Sequence, residues 1–180
     1  MELVRPAAGV LSRTAERSAV TEDEFLRFYE CTARSLRAYL FRMLNDLSRT
    51  DDILQEVYLR FLQARLPAEM THEHRKNYLF RIATNLLHDE GGARKTTALG
   101  DYPCPSDLAE DVGDRNDCSW YLQQLTARQR TLLWLAYVEG FTHKEIAQMI
   151  GVRAASVRPM LARAREHLSE MLKQGGFRSR

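Results

Sequence analysis

Apolar residues recur at steps of three and four through most of this 180-residue chain, and that spacing is lost for longest at residues 96–118. The stretch contains six acidic side chains together with Gly100, Pro103, Pro105 and Gly113. Steps of three and four place apolar side chains on one face of an α-helix, whereas glycine, proline and acidic residues favour an irregular linker. No alternating pattern typical of β-strands occurs. The sequence therefore predicts an all-α fold, with two small helical domains joined by an acidic, flexible linker.

Two helices are predicted at the start of a first domain, which we place at residues 21–95. Thr21 is followed by three acidic residues, and a capping hydroxyl followed by acids is typical of a helix N-terminus. The apolar stripe of this helix continues to Leu47. A second stripe starts at about Thr50 and is closed by Pro67, because a helix interior tolerates proline poorly.

The rest of the first domain is predicted to form a loop and a third helix. Residues 65–77 are polar and lack an apolar period, which indicates a loop. Apolar spacing returns at Tyr78, and the pair Gly91-Gly92 is expected to end this helix. Residues 1–20 are predicted to form a flexible N-terminal extension.

The second domain, at residues 119–175, carries the pattern of a helix-turn-helix. Thr142 and Glu145 match the capping box, in which a hydroxyl and a carboxylate each bind a free backbone N–H at a helix start. The short helix that they open ends at Gly151, and a basic helix follows. The alternative is a basic, solvated face on a small bundle.

In a helix-turn-helix the second helix enters the major groove of DNA, so residues near its start reach base edges and later ones reach phosphates. The expected base contacts are Arg153, Ser156 and Arg158, and the expected phosphate contacts are Arg163 and Arg165.

Charge is divided unequally along the chain, although the formal net charge is only +2. Residues 1–95 carry +1, residues 96–118 carry −5 and residues 119–180 carry +6. A basic second domain suits DNA, while the balanced total excludes a histone-like polycation. Three cysteines without paired spacing indicate neither a disulfide framework nor a thiolate metal site. With no long apolar run and no signal-peptide pattern, a cytoplasmic protein is expected.

Two blocks of sequence resemble the extracytoplasmic-function group of bacterial RNA polymerase sigma factors, in the sigma-70 superfamily. The first helical domain of that group is similar to FLRFYECTARSLRAYLFRMLNDLSRTDDILQEVYLRFLQA followed by NYLFRIATNLLHDE. Its second domain is similar to LTARQRTLLWLAYVEGFTHKEIAQMIGVRAASVRPMLARAREHL. The resemblance implies a transcription initiation factor that binds core RNA polymerase and directs promoter recognition and DNA melting. The first domain would act at the −10 element and the second at the −35 element.

The resemblance also implies residue roles in the first domain. The segment DDILQEVYLRF matches the helix that grips the largest subunit of the polymerase, which implies polymerase contacts for Asp52, Gln55 and Glu56. A solvated acidic face is the alternative for that helix. The loop from about Arg65 to Lys76 and the segment NYLFRIATN match the parts that capture a flipped base and open the promoter. The expected −10 contacts are Arg75, Lys76, Tyr78, Arg81, Asn85, Arg94 and Lys95, with Tyr78 equally assignable to the apolar stripe.

Three features leave alternatives open. The acidic linker matches the family segment that passes through the polymerase cleft, but its composition also fits a plain spacer. Residues 89–92 interrupt a run that is more basic in other members of the family. Pro159 lies where the family commonly has a small or basic residue. The second helix of the helix-turn-helix is therefore expected either to start near Ser156 or to bend at Pro159.

Other functions compete with that of a sigma factor. An enzyme is not expected, because the chain lacks HExxH, GxSxG and a glycine-rich phosphate loop, and no cofactor is implied. Glu69, His72, Glu73 and His74 would hold a metal only in a favourable loop geometry, so a polar loop is preferred. A helix-turn-helix regulator that acts without polymerase would explain the second domain but not the first. The expected partners are core RNA polymerase and promoter DNA, an anti-sigma protein is a further candidate, and no membrane insertion is expected.

Overall fold

The structure, a computed structural model, describes residues 21–64, 66–67, 69–93 and 121–174, with the side chains of residues 90–93 excepted. Within these ranges it is helical and contains no strand, which confirms the all-α prediction. The predicted extension and acidic linker lie outside the described residues. The helices follow in the order α1 (Glu22–Leu44), α2 (Leu47–Gln63), α3 (His72–Ala93), α4 (Ala127–Tyr137), α5 (His143–Ile150) and α6 (Ala154–Gln174).

The junction between α1 and α2 lies earlier than the apolar spacing predicts. Asn45 adopts the left-handed conformation, with φ 52° and ψ 34°, and its N–H donates to a carbonyl in the last turn of α1. Asp46 then caps α2 by accepting from the N–H of Arg49 at 3.0 Å. Asparagine tolerates the left-handed region and aspartate is a strong N-cap, so this pair ends one helix and begins the next. The predictions that the first helix reaches Leu47 and that the second begins near Thr50 are therefore wrong.

Helix α3 is longer than predicted at both ends. It begins at His72 because Thr71 provides the cap, with its hydroxyl and carbonyl accepting from backbone N–H groups of the first turn. The loop predicted at 65–77 is therefore wrong beyond Thr71. The helix also continues through Gly91-Gly92 to Ala93. A glycine in a helix interior costs about 1 kcal/mol relative to alanine, which weakens a helix without ending it.

Each half of the chain has its own buried apolar side chains. In α1–α3 these include Leu36, Leu40, Val57, Leu79 and Ala83, and in α4–α6 they include Leu132, Leu135, Ile146, Val157 and Leu161. The periodic stripes of the sequence predict both groups. They do not predict that the two groups form one continuous cluster.

The two groups of apolar side chains meet at the middle of α3. The ring of Phe80 lies edge-on to the ring of Phe141, with 5.2 Å between the ring centroids. Phe141 lies in the short connection between α4 and α5, and both rings are buried. Edge-to-face aromatic pairs at this distance add to the stabilisation that burial itself provides. Helix α3 therefore packs on α1 and α2 and also against the second half of the chain.

Tyr39 of α1 also links the two halves through its hydroxyl group. The hydroxyl lies 3.0 Å from Oγ1 of Thr84 in α3, and it is near enough to the side chain of Thr131 in α4 for that residue to lower its pKa. The side chain has no exposed surface. Burial raises the pKa of Tyr39 to about 12, against the opposing effect of its two threonine partners.

The raised pKa of Tyr39 predicts a loss of stability at high pH. Between about 10 and 12 the folded state holds the phenol proton more tightly than the unfolded state, so the free energy of unfolding falls as pH rises through that window. Replacing Tyr39→Phe removes this titration and, through the lost hydrogen bonds, lowers the free energy of unfolding at neutral pH by about 1–2 kcal/mol. Urea unfolding of both proteins at several pH values measures the two effects. An equal pH slope in the variant would contradict the assignment.

Candidate nucleic-acid interface

The helix-turn-helix forms with the predicted caps. The N–H of Thr142 donates to Oε2 of Glu145 at 2.8 Å, and the N–H of Glu145 donates back to the Thr142 hydroxyl at 3.4 Å. Helix α5 ends at Gly151, whose φ of 68° is the left-handed conformation that glycine adopts without steric cost. Helix α6 follows at Ala154, and Arg153 lies immediately before it. This confirms the predicted order of capping box, short helix, glycine turn and basic helix.

The expected DNA-contacting side chains of α6 are accessible but do not all share one face. Arg153, Arg158, Arg163 and Arg165 are exposed and Ser156 is half-buried. Arg158 and Arg165 are seven residues apart, so they lie on one side of the helix, about 10 Å from each other along its axis. Arg163 is rotated well away from both, on the side opposite the buried residues. A single groove can therefore meet Arg158 and Arg165 together more readily than it can meet Arg163.

Pro159 lies inside α6 as its sixth residue. The helix begins two residues before the expected start near Ser156, so that alternative is wrong. At this position proline lacks the N–H that would otherwise donate to the carbonyl of Ala155. Proline costs little stability in the first turn of a helix, but Pro159 lies beyond that turn. Helical structure continues from Pro159 to Gln174. Pro159 itself is exposed, so burial of its ring does little to offset the missing hydrogen bond.

A polar row runs along one side of α3. Asn77, Arg81 and Asn85 follow at steps of four, which places them on the same side of the helix. The guanidinium of Arg81 lies 4.8 Å from the centre of the Tyr78 ring, and both Arg81 and Asn85 are exposed. Tyr78 is half-buried, with its ring centroid 6.3 Å from that of Phe61. Tyr78 thus combines a packing role with support for Arg81.

Arg81 and Asn85 are among the expected −10 contacts, and Asn77, which shares their side of α3, is not. The step of four was the available signal, since it was visible within the segment NYLFRIATN. Arg75 and Lys76 belong to the first turns of α3 instead of the predicted loop, and both are half-buried. Arg94 and Lys95 lie outside the described residues.

The structure directs Lys76 and Asn77 toward the second half of the chain. Nζ of Lys76 lies 2.9 Å from Oε2 of Glu139, and Nδ2 of Asn77 donates to Oε1 of Glu145 at 2.5 Å. Nζ of Lys76 also lies 5.5 Å from the centre of the Phe80 ring. Lys76 therefore does not share a free surface with Arg81, and the two acidic partners are residues that the sequence did not single out for this region.

Glu145 holds its negative charge firmly in this arrangement. Partial burial alone would raise the pKa of its carboxyl group, but hydrogen bonds from the side chain and backbone of Thr142 and from Asn77 lower that pKa below its ordinary value. The same carboxylate thus caps α5 and binds α3. The helix-turn-helix is therefore attached to α3 by the residue that opens its first helix.

Arg130 of α4 makes a second connection between the halves. Its guanidinium donates to the carbonyls of Arg42 and Met43 at the end of α1, at 3.1 and 3.2 Å. It also donates to three carbonyls just before α4, those of Leu122, Gln123 and Leu125. Desolvation lowers the pKa of Arg130. The guanidinium group occupies carbonyls at a helix end that has no further intrahelical donors.

The expected polymerase-binding residues lie on the outer face of α2. Asp52 and Gln55 are exposed, with Oδ2 of Asp52 4.0 Å from a guanidinium nitrogen of Arg49. Oε1 of Glu56 lies 2.6 Å from Nε of Arg60, one turn later. Both ion pairs lie within α2, so they leave this face of the helix open to a partner.

An apolar groove lies beside that polar face, and the sequence did not predict it. The groove encloses about 300 Å³ and is lined by Tyr29, Leu54, Gln55, Tyr58, Leu59 and Leu62. Three of these side chains are exposed although they are apolar or aromatic: Tyr29 is 42% exposed, Leu59 54% and Leu62 46%. Exposed apolar surface next to polar residues is typical of a protein-binding site.

The histidine side chains at the start of α3 do not point toward a common site. His72 lies edge-on to Phe28, and Nδ1 of His74 is 2.9 Å from the hydroxyl of Thr71. Among the residues that the structure describes, no three histidine, cysteine or acidic side chains come together as a metal site. No helix in those ranges is both long and apolar enough to cross a membrane.

Profiles of two sigma-70 regions match the chain in its two halves. The family described as Sigma-70 region 2 matches residues 28–96, and the one described as Sigma-70, region 4 matches residues 121–168. The RNA polymerase sigma factor SigZ of Bacillus subtilis is 25% identical to this chain, over 84% of this chain and 86% of its own length. The ECF RNA polymerase sigma factor SigX of the same organism is 26% identical, over 76% and 77% respectively.

Solved structures with a similar fold include a sigma factor and a second protein, each bound to a partner. The sigma factor RpoE, in complex with the anti-sigma factor NepR from Bartonella quintana, matches with a TM-score of 0.67 and 20% identity. That match covers 84% of this chain and 98% of RpoE. CnrH, in complex with the cytosolic domain of CnrY, matches with a TM-score of 0.66 and 19% identity, over 89% of this chain and 94% of CnrH.

The position of Pro159 predicts that its removal stabilises the chain. In Pro159→Ala the restored N–H can bind the carbonyl of Ala155, and we expect the free energy of unfolding to rise by about 1–3 kcal/mol. Urea unfolding of the full chain measures the change. Pro67→Ala, at an exposed position between helices, is the control and should give no gain. Equal stability of wild type and Pro159→Ala would show that α6 already accommodates the proline.

Proposed function

We propose that this chain, which belongs to the extracytoplasmic-function group of the sigma-70 family, is a transcription initiation factor that binds core RNA polymerase and directs promoter recognition and DNA melting. The observation that carries the proposal is the presence of both regions in the family's order, one in each half of the chain. A lone helix-turn-helix would support only DNA binding. The first half adds a polar row on α3 and an open groove on α2, which suit single-stranded DNA and a protein partner.

The proposed division of labour follows the predicted domains. Residues 21–95 would bind core polymerase and the −10 element, residues 96–118 would link the domains, and residues 119–175 would bind the −35 element. Residues 1–20 would precede the first domain as an extension. The +6 charge of the last segment supports duplex binding, because each phosphate contact releases a condensed counterion.

At the −35 element, Arg153, Ser156 and Arg158 are the proposed base-reading residues. They lie at the start of α6, the part of a recognition helix that reaches base edges. Arg165 lies on the same side as Arg158 and farther along, which suits phosphate contact. Arg163 would contact phosphate only from the flank of the helix.

At the −10 element, Arg81 and Asn85 are the proposed central contacts. A guanidinium can bind phosphate or stack on a base, and an amide can read a base edge. The ring of Tyr78 would hold the guanidinium of Arg81 in position by a cation–π contact. Arg75, Lys76, Arg94 and Lys95 complete the proposed set, with Lys76 accessible only once it leaves Glu139.

On α2, Asp52, Gln55 and Glu56 are the proposed polymerase contacts, together with the groove beside them. The exposed Leu59 and Leu62 offer an apolar centre, and the polar residues offer a rim. That arrangement is common in protein interfaces, in which a few central residues supply most of the affinity.

We further propose that the protein acts in the cytoplasm, without a catalytic reaction or cofactor of its own. An anti-sigma protein is a candidate regulator, since the similar sigma factor RpoE is seen in complex with the anti-sigma factor NepR. The competing function is a helix-turn-helix regulator that works without polymerase. The open groove on α2 favours the polymerase-dependent function, since operator binding gives it no role.

Run-off transcription with purified core RNA polymerase and a randomised promoter library tests the proposed function. A sigma factor should give core-dependent transcripts and enrich a two-part promoter sequence. The opposite result would be specific binding of the free chain to an operator, with no association with core polymerase in gel filtration. That result would replace the proposal with the polymerase-independent regulator.

The α2 surface gives a prediction for polymerase binding. The double change Asp52→Ala and Gln55→Ala should weaken binding to core polymerase roughly tenfold or more, since interface residues of this kind are worth about 1 kcal/mol or more each. Fluorescence anisotropy of labelled chain titrated with core enzyme measures the affinity. Glu30→Gln, at an exposed site on α1, is the control for the altered charge. Unchanged affinity of the double variant would remove α2 from the interface.

The two arginines on one side of α6 should differ in what they recognise. Arg158→Ala should relax selection at one base pair of the −35 element and weaken promoter binding by about 1–3 kcal/mol. Arg165→Ala should weaken binding to all sequences alike and reduce the slope of log affinity against log salt by about 1. Promoter binding by the reconstituted holoenzyme at several salt concentrations separates the two. Identical salt slopes for wild type and Arg165→Ala would exclude the phosphate contact.

A further inference from the structure

The first turns of α3 are occupied by acidic side chains from the second half of the chain. Lys76 pairs with Glu139, two residues after the end of α4, and Asn77 pairs with Glu145 in the first turn of α5. Asn77 begins the polar row that continues with Arg81 and Asn85. The acidic side chains therefore bind at one end of the surface that we propose for single-stranded DNA.

The two acidic residues that contact α3 come from a segment that has few acidic residues. Residues 119–180 contain ten basic side chains but only four acidic ones, at positions 139, 145, 166 and 170. Two of those four contact adjacent residues on α3. A segment with a +6 charge would otherwise be repelled by cations on a DNA-binding surface, so its two contacting carboxylates supply the local attraction.

The ion pair between Lys76 and Glu139 is buried on its acidic side. The Glu139 side chain is 3% exposed and that of Lys76 is 28% exposed, and Nζ also lies 5.3 Å from the centre of the Phe141 ring. A buried pair contributes little net stability, because desolvation offsets the attraction, but removal of one partner leaves a costly unpaired charge. The pair thus fixes where the two halves meet. Once the halves separate, both charged groups can be hydrated by water.

We propose that Glu139 and Glu145 take the place of DNA phosphates on α3. When the two halves are packed together, these carboxylates and single-stranded promoter DNA compete for the same residues of α3. The inference rests on the proposed function, because Lys76 and the row from Asn77 to Asn85 must be the DNA surface. Separation of the halves exposes this surface. It also returns the carbonyls of Arg42 and Met43, now bound by Arg130, to water.

Charge reversal on the full chain tests the contact, with small-angle scattering as the measure of size. Glu139→Lys and Lys76→Glu each place like charges together and should increase the radius of gyration. The double variant restores an opposite pair and should return to the compact size of the wild type. Because either single variant can open the chain, misfolding of one leaves the other as a test. Glu30→Lys, at an exposed site on α1, makes the same change in net charge as Glu139→Lys and should stay compact.

Binding of a mixed-sequence single-stranded DNA 12-mer, without polymerase, tests the competition. Glu139→Lys should bind this probe about three- to tenfold more tightly than Glu30→Lys does, because only the former frees Lys76 and Asn77. Fluorescence anisotropy at low salt gives both affinities. Lys76→Glu should open the chain without this gain, because it removes a DNA contact.

Several results would overturn the proposal. One is an unchanged radius of gyration in both single variants, and another is a double variant as expanded as they are. A third is an expanded Glu139→Lys that binds DNA no better than Glu30→Lys. The proposed function is judged separately, by core-dependent transcription with the wild-type chain. If that transcription occurs and Glu139→Lys is unaltered in size and affinity, the competition fails and the function stands.

Discussion

Helix α3 is the element on which the rest of the structure depends, because both halves of the chain pack against it. Its contacts with α1 and α2 include Phe80 beside Tyr39 and Tyr78 beside Phe61, and Phe80 also contacts Phe141 of the second half. The Phe80–Phe141 contact is one place where the two apolar groups join into a single cluster. The polar side of the same helix carries Arg81 and Asn85. Packing on α3 therefore determines which of its polar residues remain accessible.

Much of this architecture could be predicted from local sequence. The capping boxes at Thr21 and Thr142 mark helix starts that the structure confirms, because a cap depends on residues only three apart. The predictions failed where local signals were outweighed. Asn45 and Asp46 end one helix and begin another inside what reads as one apolar stripe, and Thr71 starts α3 within a segment that lacks apolar period. In each case a polar cap decided the boundary.

The candidate interface shows a similar limit. Exposed positions on α6 and α3 follow from helical period, so Arg158, Arg165 and Arg81 were accessible to sequence reasoning. The partners of Lys76 and Asn77 were not, since Glu139 and Glu145 are more than sixty residues away in the chain. Periodicity describes which side of a helix is apolar, but it carries no information about which distant charge a polar side will meet.

The long separation of these partners has a kinetic consequence. Asn77 and Glu145 are 68 residues apart, and Arg130 reaches a carbonyl 88 residues away, whereas each half is built from short-range helix contacts. Contacts between distant residues carry a larger loop-closure cost than neighbouring ones, so they form late in folding. Each half can therefore assemble first, and the junction on α3 closes last. By the same reasoning, thermal fluctuation should open the junction before it melts either half.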